Sequence, residues 1–378
     1  MIPLLFAFAV SVAVTLLLVR SSKMHARHSG DHDFGKPQGL HAVAVPRIGG
    51  VGIVLGLVAG AGGIAASMDR SAGMFTLTLL ACVAPAFAAG IVQDFTEALT
   101  PRGRLVATGL SAVLAFFAMD AGIRDTAIPG LDWVVSFTAG SVLVTVVAVA
   151  GIANAINIID GLNGLASMCV VLMLAAIAYV GYQVDDPLIG SLALVGIGAV
   201  LGFFLWNFPA GLIFLGDGGA YLLGFFVAET SILLLVRNEE VSPLFPLLVC
   251  IYPVFETLFS IYRRSFLRAM PPSMPDGIHL HSLVYRRVMR WAVGSHSAKA
   301  LTRRNSMTSP VLWALCMASI LPAVLFWSNT SALMLFLLLF GLSYVALYWR
   351  IVRFRSPRLL RILGSRPMPL DAGDNPKT

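Results

Sequence analysis

Chemistry-bearing residues stand out in this chain because their surroundings are so apolar. Asp94 ends one long apolar run in Gly90-Ile91-Val92-Gln93-Asp94, and Arg102 and Arg104 follow closely. A carboxylate at a membrane edge can act as a base on a phosphate that two guanidiniums hold; a plain Asp–Arg loop ion pair is the bland alternative. The run Asn154-Ala155-Ile156-Asn157-Ile158-Ile159-Asp160-Gly161-Leu162-Asn163-Gly164-Leu165 lies between two further apolar runs. Carboxamides and carboxylates are costly there without a ligand, metal or water to satisfy them. Asn154, Asn157 and Asp160 recur every three residues, so on a helix they share one face. That face can offer oxygens to Mg²⁺ or hydrogen bonds to a nucleobase, and Asn163-Gly164 is expected to end the helix. Asp217 sits in Phe214-Leu215-Gly216-Asp217-Gly218-Gly219, where glycines admit close backbone approach. One carboxylate with asparagine neighbours and substrate phosphates is a common Mg²⁺ arrangement. Pro275-Asp276-Gly277-Ile278-His279-Leu280-His281 lies in the most basic loop. A spacing of two puts both rings on one side of an extended segment. Binding an anion among Arg263, Arg264, Arg286 and Arg287 is a simpler use than zinc, since no cysteine is near.

The elements that must position these groups are membrane helices. The 378 residues are 58% hydrophobic and only 12% charged, about half the charge of a soluble domain. A spanning helix needs about 20 apolar residues. Eleven stretches qualify, with cores near 2–19, 48–67, 74–92, 105–120, 131–152, 165–183, 187–206, 219–236, 243–262, 310–328 and 331–349. The expected fold class is therefore an all-α polytopic bundle of about 11 transmembrane helices. Alternating strands of a membrane barrel are absent. The first stretch lacks a basic n-region and reads as a retained helix rather than a signal peptide. With eleven spans, 23 of the 26 Lys and Arg fall on one side. By the positive-inside rule that side is cytoplasmic, with the N-terminus periplasmic and the C-terminus cytoplasmic. Asp94, Asp160, Asp217, Asp276, His41, His279 and His281 then share the cytoplasmic face.

The acids expected on the far side (Asp69, Asp120, Asp125, Asp132, Asp185, Asp186, Glu239 and Glu240) read as solvated loop charges. A net charge of +7 suits anionic headgroups and anionic substrates and implies no nucleic-acid partner. Cys82, Cys169, Cys250 and Cys316 each fall inside a span, with no zinc spacing and no disulfide framework. Residues 1–350 read as one integral membrane catalytic domain. Its active-site loops are 20–47, 93–104, 153–164, 207–218 and 263–305, and 351–378 form a basic cytoplasmic tail.

Taken together, these segments resemble the polyprenyl-phosphate N-acetylhexosamine-1-phosphate transferase family, of glycosyltransferase 4 type. The resemblance is clearest over about 34–300. It rests on Pro46-Arg47-Ile48-Gly49-Gly50 before the second span, the acidic motif at Asp94, the Asn154–Leu165 run, the Phe214–Gly218 turn and His279-Leu280-His281. It implies transfer of an amino-sugar-1-phosphate from a UDP-sugar to a polyprenyl (undecaprenyl) phosphate, giving polyprenyl-diphosphate-sugar and UMP. The implied cofactor is Mg²⁺, with Mn²⁺ as the alternative, in the bilayer of a bacterial inner membrane. A homodimer is the family-like expectation. By the same resemblance Asn157 and Asp217 are metal-site residues, and Phe214, Asn163 and Asn154 face the nucleotide. Asp94 serves the lipid phosphate, and Asp160 is a further acid of the cleft. Arg47, Arg104, His279 and His281 contact the diphosphate or sugar, which with a metal is the usual way to stabilise charge in phosphoryl transfer.

The chain departs from the family pattern in places. Gln93 stands where an Asp-Asp pair is common, and Gly39 stands near His41 where a basic residue is common. The histidine loop lacks a third histidine. These departures place the chain nearer the O-antigen and common-antigen initiating branch than the phospho-MurNAc-pentapeptide transferases, which are the alternative. A secondary transporter is a different class, disfavoured because the acids gather at loops on one side instead of the midplane. A catalytically dead scaffold is the third class, hinted at only by the missing first acid.

Overall fold

A computed structural model describes residues 1–21, 45–267, 278–289 and 298–353. Lys36, Gly39, His41, Asp276 and nearly all of the basic tail lie outside the described residues. Every regular element among those described is helical. In chain order they are α1 (Ile2–Arg20), α2 (Gly49–Ser67), α3 (Arg70–Cys82), α4 (Ala84–Thr96), α5 (Pro101–Met119) and the short α6 (Pro129–Val135). Then come α7 (Thr138–Ile159), α8 (Leu165–Gln183), α9 (Pro187–Asn207), α10 (Gly216–Arg237), α11 (Leu244–Val249) and α12 (Ile251–Tyr262). The short α13 (Leu280–Leu283), α14 (Ala298–Leu325) and α15 (Thr330–Val352) follow, and π-helical turns continue α12 (Arg263–Leu267) and α13 (Val284–Met289).

Among the described residues nine single helices are long and apolar enough to cross a membrane. The pair α3–α4 makes a tenth span, bent by 46° at Val83 beside Pro85. The remaining expected stretch, 243–262, is α11 and α12 broken at Cys250. All eleven apolar stretches are thus helical, and the chain is a multi-span membrane protein. Two boundaries differ clearly from the sequence reading. The span expected at 131–152 is the helix Thr138–Ile159, preceded by the separate α6. The helix expected from 310 begins at Ala298 and carries Arg303 and Arg304 in its first turns, because contacts with a neighbouring loop hold that extension in place.

Helix α10 is the central element, with 89% of its apolar window buried. Its neighbours meet it backbone to backbone. A methyl group on Gly50 of α2 would lie 2.6 Å from Gly219 Cα, one on Gly90 of α4 would lie 2.4 Å from Gly218 Cα, and one on Gly224 would lie 2.4 Å from Ala153 Cα of α7. Hydrocarbon gives helices no hydrophobic reason to associate, so small residues and tight backbone contact do this work. The four cysteines are buried, as expected, although Cys250 sits at the α11–α12 break.

Asp186 is not a solvated charge. It is 5% exposed, caps α9 by accepting from Leu188 and Ile189 N–H, and receives Arg237 Nε at 2.6 Å. That pair pins the end of α10 remote from the candidate site, and it holds the Asp186 carboxyl below its ordinary value despite burial.

Candidate active site

The candidate site is built on the first turn of α10. Gly216 has φ +77°, and a Cβ there would lie 2.1 Å from Arg47 O and 2.7 Å from Asp94 Oδ2. Only glycine lets the chain turn into the helix at this spot. Phe214 N–H donates to Pro46 O, and Gly49 and Gly50 N–H donate to Phe214 O and Leu215 O. These bonds lock the Phe214–Gly216 turn to the segment carrying Arg47.

Asp217 is the hub. Its Oδ1 accepts from Asn157 Nδ2 at 2.9 Å, and its Oδ2 pairs with Arg104 at the start of α5. Asp94 holds the hub from behind. Its two oxygens accept the Asp217 N–H at 2.8 Å and the Gly218 N–H at 3.0 Å. It is thus a cap supplied to α10 by another helix, placed at the positive end of the helix dipole. Gln93 does not face this cluster. Its Oε1 accepts from Leu99 N–H at 2.9 Å and closes the α4–α5 loop.

Helix α7 ends at Ile159, and Asp160 is its C-terminal cap. Its carboxyl is pushed up to about 8, first by burial and then by the Asp217 and Asp94 carboxylates, with the Arg47 guanidinium opposing. Asn154 lies one turn below Asn157, half-buried on the same helix. The expectation that Asn163-Gly164 terminates this helix is corrected. Gly164, at φ +71°, instead starts α8.

Asn163 is 2% exposed and braced against α14. Its N–H donates to Asn305 Oδ1 at 2.7 Å, and its carbonyl accepts from Ser309 Oγ at 2.6 Å. Its Nδ2 donates to Pro209 O at 3.2 Å, leaving only the side-chain oxygen without a partner. Trp313 Nε1 adds a bond to Gly164 O at 3.1 Å. This brace explains the early start of α14.

His279 and His281 do lie on one side, with rings parallel and 5.4 Å apart. They border the same wall, since a Cβ on Gly161 would sit 3.0 Å from His281 Nε2. Two of the nearby arginines bond to backbone and side-chain oxygens of this region. Arg263 donates to Ile278 O and Tyr348 OH, and Arg287 donates to the Ile351 and Val352 carbonyls. These bonds tie the loop to α15 through Arg263 and Arg287, two of the four arginines expected around an anion.

The sequence reading passed over Glu256. It is 1% exposed in α12 and bonded to His279, Leu280 N–H and Tyr344. The signal was present, because an acid inside an apolar span calls for a partner. Glu229 was missed in the same way. It is fully buried in α10, and neither of its oxygens has a partner.

Among the described residues no three His, Cys, Asp or Glu form a ready cage for a metal. The donor set nevertheless fits a hard divalent cation completed by substrate phosphates and water. Asp217 offers a carboxylate, Asn157 retains its carbonyl oxygen, and burial together with the Asp217 and Asp94 carboxylates keeps a proton on Asp160 in the absence of a cation.

Residues 76–235 match glycosyl transferase family 4. The chain is 30% identical over 287 residues to the "Probable undecaprenyl-phosphate N-acetylglucosaminyl 1-phosphate transferase" of Bacillus subtilis, covering 74% of this chain and 77% of the relative. A phospho-N-acetylmuramoyl-pentapeptide-transferase of Lactococcus lactis is 32% identical over 147 residues, 38% of this chain and 44% of that protein. A putative UDP-N-acetylglucosamine–dolichyl-phosphate N-acetylglucosaminephosphotransferase of Saccharolobus solfataricus is 26% identical over 234 residues, 61% of this chain and 70% of that one. Matched across most of both lengths to the first of these relatives, with helix ends that gather the acidic, asparagine and glycine motifs at one place, the chain belongs to glycosyl transferase family 4.

Proposed function

We propose that this protein transfers an N-acetylated amino-sugar-1-phosphate from a UDP-sugar to undecaprenyl phosphate, releasing UMP. The observation that carries the reading is the Asp217 hub, where Arg104, Asn157 and the Asp94-capped start of α10 meet at one end of the bundle. The lysine and arginine distribution supports a cytoplasmic site in the inner membrane, where nucleotide sugars are met. Residues 1–350 form the catalytic unit in this reading.

An oxygen of the lipid phosphate attacks the sugar-linked phosphorus. The bond from that phosphorus to the bridging oxygen breaks, and UMP leaves with that oxygen. A bound Mg²⁺ or Mn²⁺, held by Asp217 and Asn157, supplies positive charge for the diphosphate oxygens. Arg104 is already aimed at this place and shares its charge between Asp217 and the incoming diphosphate. Asp94 keeps Asp217 in register by holding two backbone N–H groups. Without a cation Asp160 holds a proton near neutral pH; positive charge entering the site would release it and leave a carboxylate able to take a proton from the phosphate acceptor. Phe214 and Asn154 are assigned to the nucleotide side, with Asn163 supporting the wall behind them. His279, His281 and Arg47 are assigned to the phosphate and sugar.

The test is purified protein in nanodiscs with undecaprenyl phosphate, Mg²⁺ and a panel of UDP-amino sugars, including UDP-MurNAc-pentapeptide. UMP release with a UDP-N-acetylhexosamine is expected. Release only with the pentapeptide donor would move the protein to the peptidoglycan branch. No release with any donor, from folded protein, would sink the proposal.

A further inference from the structure

Glu256 has no part in the transfer chemistry described above, yet it is a buried acid inside a helix with bonds to three separate residues. Its Oε1 accepts from Leu280 N–H at 2.9 Å and faces His279 Nδ1 at 3.1 Å, and its Oε2 accepts from Tyr344 OH at 2.6 Å. Tyr344 comes from α15 and is fully buried. A carboxylate removed from water needs its lone pairs filled. Two of these donors, the Leu280 amide and the Tyr344 hydroxyl, must donate because their chemistry allows nothing better. The imidazole is the only partner whose role is open. A carboxylate facing Nδ1 selects the form with the proton on that nitrogen, which fixes the ring plane and turns the Nε2 edge away from Glu256.

What lies beyond His279 gives this selection a purpose. The His281 ring is parallel to it at 6°, and His281 Nε2 borders Gly161, the residue after Asp160. The cluster is also fastened from both sides. Arg263, two turns beyond Glu256 on the same helical run, donates to Ile278 O at 3.1 Å and to Tyr348 OH at 2.6 Å. Three separate elements (α12, the His279–Leu283 segment and α15) are therefore set relative to each other by one buried polar cluster at the edge of the candidate site.

We infer that Glu256 is a positioning residue: it fixes the tautomer and orientation of His279, and through the stacked pair it sets the histidine wall against which the sugar diphosphate is held. The assignment rests on the transferase reading for its effect on rate, but its structural content stands apart from that reading.

The experiment uses the full chain in nanodiscs, labelled with ¹⁵N-histidine, with the His279 signals assigned by their loss in His279→Asn. In the unmodified protein His279 is expected to carry its proton on Nδ1 in a single form, and in Glu256→Gln that form gives way to a mixture with Nε2–H. In the UMP-release assay Glu256→Gln is expected to lower kcat by about 10- to 100-fold with little change in KM for the donor. The double variant Glu256→Gln/His279→Asn is expected to be no slower than His279→Asn alone, because one residue acts through the other. A bare Nδ1 on His279 in the unmodified protein would overturn the inference even if Glu256→Gln did not fold. Independent, multiplying losses in the double variant would also overturn it. The expected NMR result with no UMP release from any donor would instead remove the transferase reading and leave the Glu256–His279 pairing in place.

Discussion

Gly90→Ala places one methyl group between the two helices that carry Asp94 and Asp217. The added carbon would lie 2.4 Å from both Cα and N of Gly218 and 2.7 Å from the Asp217 carbonyl carbon. Ordinary contact begins at 3.4 Å, so α4 and α10 must part by about 1 Å. All the atoms in the way are backbone, and no side chain can swing aside. Overpacking of this kind costs about 1–3 kcal/mol of stability. The larger effect falls on the site, because Asp94 lies one helical turn beyond Gly90 and reaches across this seam to two N–H groups of α10. A misplacement of about 1 Å costs on the order of 10²-fold in rate. We therefore expect kcat for UMP release to fall about 100-fold in protein that still purifies as a folded species. Gly62→Ala on α2 is the control, since nothing lies within 4 Å of its added carbon, and it should match the unmodified enzyme. Activity within threefold of normal for Gly90→Ala would refute the idea that backbone contact at this seam sets the catalytic geometry.

Three further outcomes are expected. Asp217→Asn should lower turnover by orders of magnitude, while Gln93→Ala, which removes a loop bond to Leu99 at 2.9 Å, should cost about 1 kcal/mol of stability and little rate; equal losses in the UMP assay would contradict this ranking. Because the Asp160 carboxyl is raised to about 8 from 3.8, the folded protein binds its proton more tightly than the unfolded chain. Stability from this group is therefore lost as pH rises from about 4 towards 8, and metal-free Asp160→Asn should melt higher than the unmodified protein at pH 8 but not at pH 4, as read by thermal scanning fluorimetry. Glu229→Met should raise the melting temperature, since it replaces an unpartnered buried carboxyl with an apolar chain of similar length, and relief of about 1–3 kcal/mol is expected; a fall would show that Glu229 has an unrecognised partner.

The helical class and the grouping of polar residues at the candidate site could be read from the residues because both rest on local chemistry. Apolar runs of spanning length have one physical use, and polar groups between them need a reason to be there. Thus the grouping of Asp94, Asp160, Asn157, Asp217 and Arg104 in one candidate site is legible from the sequence. The mutual arrangement was not readable. Nothing in Gln93-Asp94 says that one side chain closes a loop while the next caps a helix 123 residues later. The brace on Asn163 joins residues 142 apart, and no periodicity encodes such a contact. Asp186 was misjudged because a short loop looks solvated until its partner Arg237 is placed beside it. Glu256 was the avoidable omission, since an acid within Ile251–Tyr262 is visible at once.

The position of α10 in the chain bears on how the protein is made. Helices α2, α4, α7 and α8, which surround it, all precede it in the sequence. Ribosomes deliver segments in order, so the four helices that line α10 are already made when α10 leaves the insertion machinery. A helix carrying Glu229 in mid-membrane and four glycines facing its neighbours is a poor guest for lipid alone. Its membrane insertion is best served by a socket already assembled, so a truncation ending after residue 183 should leave the bilayer with a vacant groove, and α10 supplied as a separate chain should be retained by that groove better than by lipid.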